Sequence, residues 1–266
     1  MIALIFIFYS PIFVLAEEPK GLIEKNFGER YYGVYLGEFK LGYLIHEISQ
    51  TEASVTQDVS FNVRMTLSEQ EQEDYKAKYA FSQIISRHEF DKETGLLNEM
   101  TEVEGKKYYA DYGSLLKDRY FKQDISSLTA KYKGNFSYEV LMSNKGGETS
   151  KFLKLPSLHM YDYFAEINFA LSSPDIGETR DIEVFDLDFK NEVFMSATLT
   201  LMQKERVGGG LGNKHKYKYV IQEDLDGESF TYTVDQYGNI IKAEMLGLNL
   251  IREPKEQALI LDAQKT

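Results

Sequence analysis

Regular alternation of apolar and polar side chains is the feature that most limits what this chain can fold into. From Val59 to Leu67, every second side chain is apolar and each residue between them is polar. Successive side chains of a β-strand point to opposite faces, so this pattern predicts a strand with one buried and one exposed face. Similar patterns predict further strands over 78–91, 181–189, 192–202, 216–223 and 228–235. We therefore expect a mainly β protein built from curved antiparallel sheets.

A hairpin is predicted near the start of this strand-rich region. Tyr31–Leu36 and Phe39–Ile48 are strand-like segments, and only Gly37 and Glu38 separate them. A Gly-X pair between two strands favours a type II′ turn, because glycine readily adopts the positive φ that the first turn position requires.

Two segments resemble each other and suggest an internal duplication. Phe90–Glu99 and Val234–Ala243 each contain a strand that ends in Asp, a turn with glycine and an apolar pair that opens the next strand. We expect two similar β-rich halves, the first over 17–155 and the second over 176–266. The alternative is that any two β-hairpins share these features.

A helix is predicted between the two halves, in a connecting segment at 156–175. Ser157 is a suitable N-cap, and Ser172-Ser173-Pro174 ends the helical pattern. The polar residues form one narrow stripe, which consists of His159, Asp162 and Glu166. Because apolar side chains occupy most of the remaining circumference, we expect one central buried helix near 157–171, with only the stripe exposed.

The first 16 residues are apolar and carry no charged side chain, and a polar, acidic segment follows them. Val14 and Ala16 suit the −3 and −1 positions of a secretory cleavage site. The segment is shorter than the roughly 20 residues of a membrane-spanning helix, and it contains Pro11. We expect a signal peptide over 1–16 and an exported protein, periplasmic or extracellular, with no transmembrane span after its removal. A buried N-terminal strand is the alternative.

The segment before the apolar core has no Lys or Arg. Either the usual charge rule for signal peptides is relaxed in this chain, or the true start codon lies upstream.

Charge and cysteine content exclude several classes of protein. The chain has 266 residues, with 30 Lys and Arg against 42 Asp and Glu, which gives a net charge of −12. Nucleic-acid binding needs a basic face, so we expect no nucleic-acid partner. Because the chain contains no cysteine, it can form no disulfide, thiol nucleophile or Cys-ligated zinc site.

No motif of a catalytic, metal or cofactor site stands out. Metal-binding spacing is absent among the histidines, which we expect to be solvated or hydrogen-bonded: His46, His88, His159 and His215. The glycine-rich segment 207–213 lacks the Lys-Ser/Thr of a phosphate-binding loop. The acidic segments 186–188 and 224–228 lack the ligand spacing of an EF-hand. We therefore expect no catalytic residue, no metal and no cofactor, and the ligand-binding residues stay unknown.

Two other segments allow a structural interpretation. The acidic run 69–74 is expected to be a solvated hairpin connection. The aromatic segment 108–112, with Tyr120 and Phe121, either faces a ligand or belongs to an ordinary strand, where Tyr is equally favoured.

Short motifs resemble one family of bacterial exported proteins. Tyr32–Tyr43 combines an aromatic-Gly-x-Tyr strand, a glycine turn, Lys, an apolar residue and Gly-Tyr. Further matches are Leu155-Pro156 with 162–166, Pro174 to Gly177 with Phe185-Asp186, and Val234-Asp235 with Gly238. Over residues 30–250 the chain is similar to the non-catalytic N-terminal β-rich region of secreted transglutaminase-like proteins.

The resemblance implies a protein without catalytic activity. The catalytic domain of transglutaminase-like proteins carries a Cys-His-Asp triad, and this chain contains no cysteine. The strand-rich pattern is also similar, in architecture only, to periplasmic lipoprotein carriers, whose curved sheets hold apolar ligands.

Three functions follow as hypotheses. The favoured one is an exported, non-enzymatic binding or scaffolding module of the cell envelope, whose partner is a protein or an envelope component. The alternative is a carrier of an acyl or other apolar ligand, but the predicted buried helix would occupy the space such a ligand needs. A carboxylate-based hydrolase is less favoured because no acid/base pair stands out, although one can assemble in space.

Removal of the signal peptide gives the first testable prediction. We expect Glu17 as the first residue of the protein isolated from the cell envelope, because the bond after Ala16 follows the small residues that the signal peptidase accepts. Intact-mass measurement checks this. A protein that keeps Met1, or that fractionates with the cytoplasm, would contradict the prediction.

Overall fold

A computed structural model describes residues 24–135, 137–154, 159–160, 163–172, 174–187, 192–207, 216–225 and 227–260. Antiparallel strands dominate this part of the chain and the helices are few and short, which confirms the predicted fold class. The predicted signal peptide over 1–16, the N-cap Ser157, the loop glycines 208–212 and His215 lie outside the described residues.

Fourteen strands are described, most of them eight residues or longer. They are β1 Gly28–Leu36, β2 Phe39–Gln50, β3 Ser54–Thr66, β4 Tyr79–Asp91, β5 Leu97–Tyr109, β6 Lys122–Gly134, β7 Ser137–Asn144, β8 Gly147–Lys154, β9 Thr179–Leu187, β10 Glu192–Val207, β11 Lys216–Leu225, β12 Glu228–Asp235, β13 Ile240–Met245 and β14 Leu248–Glu253. The described helices are α1 Glu69–Tyr75, α2 Tyr112–Leu116, α3 Ala165–Leu171 and α4 Lys255–Ala258.

The described residues belong to two compact units. The β1 unit comprises 28–89, the described residues of 98–155, and 248–260, and its strand order is β8-β7-β6-β5-β4-β3-β2-β1-β14. The α3 unit comprises 24–27, 90–97 and the described residues of 156–247, and its strand order is β13-β12-β11-β10-β9. Neighbours in space are neighbours in sequence, except where β1 pairs with β14.

The strands predicted from alternation are present. The prediction over 228–235 matches β12 at both ends, and the predicted turn at Gly37 joins β1 to β2 with a φ of +59°. Strands β6 to β8 and β14 were not predicted. In β8 the reason is visible, because Leu153 is its only buried side chain and no apolar face develops.

The acidic run 69–74 was predicted as a solvated hairpin connection, and it does connect the neighbouring strands β3 and β4 without burying a residue, but its helical conformation was not predicted. It forms most of α1, because Ser68 and Glu71 make a capping box. The Ser68 hydroxyl accepts a hydrogen bond from the Glu71 amide, and the Glu71 carboxylate accepts one from the Ser68 amide at 3.0 Å. The Ser-x-x-Glu spacing was the signal in the sequence that would have identified this helix.

The central helix ends at Leu171, as predicted, but begins at Ala165 rather than near 157. Upstream of it, His159 forms an antiparallel bridge with Leu96, and the Met160 amide donates to the Gly95 carbonyl at 2.7 Å. These backbone groups bond to a strand end and a turn. Because of these bonds, His159 and Met160 are not part of the helix, which begins only at Ala165.

The segment around α3, which is the name used here for the described residues of 159–172, is largely buried, as its apolar composition predicts. Tyr163, Phe164 and Phe169 are all less than 5% exposed. The ring of Phe90, at the end of β4, lies 5.1 Å from the Tyr163 ring and 6.0 Å from the Phe164 ring, centroid to centroid. Aromatic packing of this kind stabilises the α3 unit beyond simple burial of area.

Two turns of the α3 unit have matching local structure. In each turn the Asp carboxylate accepts a hydrogen bond from the amide two residues ahead, that of Glu93 at 3.1 Å for Asp91 and that of Tyr237 at 2.8 Å for Asp235. Each turn contains a glycine with positive φ, +71° at Gly95 and +81° at Gly238. These are the two segments whose sequences resemble each other.

Both turn glycines lie directly against the segment around α3. A Cβ atom on Gly95 would overlap the imidazole of His159, and one on Gly238 would overlap the Cα atom of Ile167. Each position therefore requires glycine for two reasons. The backbone has a positive φ, and a neighbouring residue lies where a Cβ atom would stand.

In the β1 unit a buried ion pair connects β2, β14 and α4. Lys40 Nζ lies 2.7 Å from the Glu253 carboxylate, and both side chains are only 6% exposed. The ammonium also donates to the Gln257 carbonyl of α4 at 2.7 Å, and the Tyr35 hydroxyl donates to Glu253. Each charge thus has several partners, which offsets the cost of removing it from water.

The close approach at Gly238 gives the second prediction. Gly238→Ala should lower the free energy of unfolding by about 3 kcal/mol, the sum of left-handed backbone strain and overpacking against Ile167. Gly227→Ala is the matched control, because Gly227 has a similar φ of +83° and an added Cβ there meets nothing within 4 Å. It should cost only about 1 kcal/mol. Equal losses in urea unfolding would show that the contact with Ile167 adds nothing.

Candidate functional site

Four of the seven buried polar side chains in the described part of the β1 unit interrupt its apolar interior. They lie on β1, β2, β3 and β4 and are each less than 8% exposed. We call them the polar belt: Arg30, His46, Gln57 and His88. Polar groups buried among apolar neighbours cost free energy unless they are hydrogen-bonded, so such a cluster is a candidate site.

Strand register places three members of the belt next to one another. Arg30 pairs with His46, and Ile48, two residues further along β2, pairs with Gln57. Gln57 is therefore a diagonal neighbour of His46 on the same face of the sheet. Its amide nitrogen lies 3.2 Å from His46 Nε2.

Both imidazoles of the belt are neutral at pH 7. Burial, followed by the nearby charges of Arg30 and His88, lowers the pKa of His46 to about 3. Burial alone lowers the pKa of His88 to about 4. Since an amide nitrogen can only donate, His46 Nε2 accepts from Gln57, which places the imidazole proton on Nδ1.

The belt combines one permanent cation with neutral hydrogen-bonding groups. A guanidinium ion stays charged at every accessible pH and presents donors in a planar fork, which suits carboxylate and phosphate groups. The belt thus places a permanently charged group beside neutral imidazoles in a buried environment.

The α3 unit contains a second polar cluster, formed by two carboxyl groups and a tyrosine. Glu223 of β11 is 3% exposed, and its carboxyl accepts a hydrogen bond from the Tyr232 hydroxyl at 2.6 Å. Burial raises the pKa of Glu166, on α3, to about 7. Burial and the charge of Glu166 raise the pKa of Glu223 to about 8. We call Glu166 and Glu223 the acid pair.

The acid pair corrects one expectation from sequence. Glu166 was predicted on an exposed polar stripe, but the residue is only partly exposed and its carboxyl is desolvated. A carboxylate pair thus does assemble in space. Glu223 is nearly inaccessible to solvent, however, whereas a hydrolase needs both carboxyls to flank a bound substrate.

His159, Tyr108 and Tyr109, which were also candidates from the sequence, have structural roles. His159 Nε2 lies 2.7 Å from the Thr94 carbonyl, which anchors it to the turn at Gly95. Tyr108 and Tyr109 are at most 2% exposed, and the Tyr108 ring stacks on Tyr75 at 4.5 Å. The aromatic segment 108–112 therefore begins inside the core, whereas Tyr120 and Phe121 are 43% and 52% exposed.

The acidic segments are only partly described. The Asp224 carboxylate accepts from Gln222 at 2.8 Å and from Ser229, across the β11–β12 hairpin. Within the described part of the chain, no group of three or more His, Asp or Glu residues is placed to hold a metal ion. In the same part of the chain, every helix is too short or too polar to cross a membrane.

Sequence reasoning missed Arg30, Gln57, Glu166 and Glu223 as site residues. A usable signal existed for the belt, because His46 stands between Leu44 and Ile48 at positions where alternation requires apolar residues. Gln57 lies between Val55 and Val59 in the same way, but the predicted strand began only at Val59.

Comparison with known proteins supports the fold. No family model and no curated protein matches this chain. A crystal structure of a β-barrel-like protein of the domain of unknown function DUF1849, from Brucella abortus, matches with a TM-score of 0.54. The match covers 85% of this chain and 94% of that chain at 12% sequence identity. At this identity the similarity shows a shared fold and nothing more.

The acid pair predicts how stability depends on pH. A carboxyl whose pKa is raised on folding stabilises the folded state below its ordinary pKa near 4.5, and this contribution is lost as the pH rises through the folded value. Glu223→Gln removes the titration while its amide oxygen still accepts from Tyr232. Relative to wild type, the variant should gain about 4 kcal/mol between pH 5 and pH 9, since the folded-state pKa lies about three units above the start of this range.

Denaturant unfolding at several pH values measures this gain. Glu228→Gln on the same hairpin is the control, because Glu228 is exposed and its replacement should leave the pH profile unchanged. A Glu223→Gln profile parallel to that of the wild type would show that this carboxyl titrates normally.

Proposed function

We propose that the protein is an exported, non-enzymatic binding module of the cell envelope, which holds a protein or envelope component on its outer surface. The apolar leader and the predicted cleavage site after Ala16 support export. The β-barrel-like fold supports a binding role, since such folds expose broad sheet surfaces.

The filling of the interior is the observation that carries the proposal. The largest fully buried side chains belong to both units and are mostly aromatic: Tyr109, Tyr138, Tyr219, Phe61, Phe90 and Phe169. A carrier of an acyl chain needs a continuous apolar cavity of several hundred Å³. Here the protein's own rings and the segment around α3 occupy interior positions, which favours surface binding over carriage.

The outer face of β7 and β8 offers a surface for a partner. Leu141 is 46% exposed and Phe152 is 71% exposed. Leu141 pairs with Ser150 and Glu139 pairs with Phe152, so the two apolar side chains are diagonal neighbours on one face. We call Leu141 and Phe152 the outer patch. A large exposed ring is a typical anchor of protein interfaces.

Site-specific photo-crosslinking in the native host tests the proposal. A photoreactive phenylalanine at position 152 should cross-link to one defined envelope partner. The matched control is position 39, because Phe39 is 68% exposed and lies outside the outer patch. Phe152→Glu should abolish co-purification of that partner without changing the melting temperature, since the Phe152 side chain is 71% exposed.

Two results would contradict the proposal. Equal cross-linking at positions 152 and 39 would show that the outer patch has no special role. A stoichiometric lipid found by native mass spectrometry of the protein from its own envelope would favour the carrier alternative.

A further inference from the structure

The connection between β5 and β6, residues 110–121, exposes three large apolar side chains close together in sequence. They are Leu116, Tyr120 and Phe121, and each is between 43% and 52% exposed. Single exposed apolar residues are common on protein surfaces, whereas a group of them indicates a contact with another molecule or with a membrane.

Contacts with the core of the β1 unit hold this connection in place. The Phe121 amide donates a hydrogen bond to the Tyr108 carbonyl at 3.2 Å. The Tyr120 ring packs edge to face against the buried ring of Tyr109, with the centroids 6.5 Å apart. The exposed side chains therefore belong to an ordered loop, and little conformational entropy is lost when they become buried in a contact.

Cations accompany these apolar side chains. Residues 106–122 contain five Lys and Arg against two Asp, in a chain whose net charge is −12. Lys117 and Arg119 are exposed, and neither has an acidic partner among the described residues. The acid between them, Asp118, pairs with Lys107 at 2.9 Å. The connection therefore presents two cations that are free to meet anionic groups.

The basic surface is confined to the β5–β6 connection. The neighbouring helix α1 carries four acidic residues, and one of them, Glu71, lies 3.8 Å from Lys106. At physiological ionic strength the Debye length is about 8 Å, so acidic residues further away contribute little. Charge at the contact itself decides which surface can approach, and the free cations favour an anionic one.

We propose that the β5–β6 connection docks on the surface of a lipid bilayer that contains anionic lipids. Leu116 and Phe121 enter the boundary between headgroups and acyl chains. The Tyr120 hydroxyl stays at headgroup level, while Lys117 and Arg119 meet the lipid phosphates. Lysine is depleted from protein interfaces, whereas membrane-surface segments combine it with aromatic residues, which favours a bilayer over a protein. The contact is separate from the outer patch and does not depend on it.

Vesicle binding tests the charge contribution. The protein is purified from the cell envelope, and all variants have the same N-terminus, so residues 1–16 cannot account for a difference. It should bind vesicles of phosphatidylglycerol and phosphatidylcholine about tenfold more tightly, or better, than vesicles of phosphatidylcholine alone. Lys117→Gln/Arg119→Gln should remove most of this preference, since each cation near an anionic surface strengthens binding about fivefold.

The matched control for this double variant is Lys154→Gln/Arg206→Gln. It replaces one exposed Lys and one exposed Arg that lie outside the connection, on β8 and β10. The net charge changes by the same amount in both double variants. The control should keep the preference for anionic vesicles, because only cations at the contact meet the lipid phosphates.

A single tryptophan reports whether the loop enters the bilayer, because the chain contains no tryptophan of its own. The fluorescence of Phe121→Trp should shift to shorter wavelength when anionic vesicles are added, as the indole leaves water. Phe152→Trp, on the equally accessible outer patch, should show no shift. Phe152→Glu should likewise bind vesicles as wild type does, so failure of the proposed partner surface leaves this result unchanged.

Each outcome supports or overturns the proposal. Equal binding to both kinds of vesicle, an equal loss in the two double variants, or an unshifted Phe121→Trp spectrum would overturn it. If Lys117→Gln/Arg119→Gln fails to fold, the lipid preference of the wild type and the tryptophan spectra still decide. A photoreactive phenylalanine at position 121 that captures a protein rather than lipid in the native host would assign this surface to a protein partner instead.

Discussion

The close approach of the segment around α3 to two glycine turns is the contact on which the α3 unit depends. At Gly238 the backbone of α3 lies where a side chain would otherwise stand, and at Gly95 the imidazole of His159 takes that place. Contacts without an intervening side chain tolerate little displacement, since protein interiors are close-packed. Ile167 is thereby fixed, and Glu166, the residue before it, is held in the interior. The acid pair follows from this packing.

Strands could be predicted from this sequence far better than the helices or the sites. Alternation identified both ends of β12 correctly, because a strand with one buried face needs an apolar residue at every second position. The start of α3 could not be found in this way, since His159 and Met160 bond to Leu96 and Gly95, which are distant in sequence. The duplication of halves 17–155 and 176–266 stays a prediction.

His46 and Gln57 stand at positions where the alternation requires apolar residues, which indicates buried polar groups. Alternation alone could not show that these groups lie next to each other. His46 and Gln57 each stand between aliphatic neighbours, which signals a buried polar group. Their meeting depends on the register of β2 against β3, which places Ile48 opposite Gln57. A shift by one residue would move each group to the opposite face. The acid pair left no such signal, because Glu166 occupied what looked like a solvated helical stripe.

The buried titratable groups of the acid pair and the belt carry less charge than the same residue types would carry in water. The chain carries a net charge of −12, yet the acid pair and the belt imidazoles are neutral or only partly ionised near pH 7. Their effects on stability have opposite signs. Lowered histidine pKa values stabilise the β1 unit above about pH 6.5, and this contribution is lost in acid. Raised carboxyl pKa values stabilise the α3 unit in acid and lose that contribution in base.

Acid–base properties of the two clusters also bear on function. A general base works best when its pKa lies near the operating pH, and imidazoles with pKa values of about 3 and 4 are poor proton acceptors at neutrality. The acid pair has suitable pKa values, but the Glu223 carboxyl is bonded to Tyr232 and closed to solvent. What the belt does contain is a permanent cation, a neutral imidazole held in one tautomer and an amide oxygen that has no hydrogen-bond partner among the described residues.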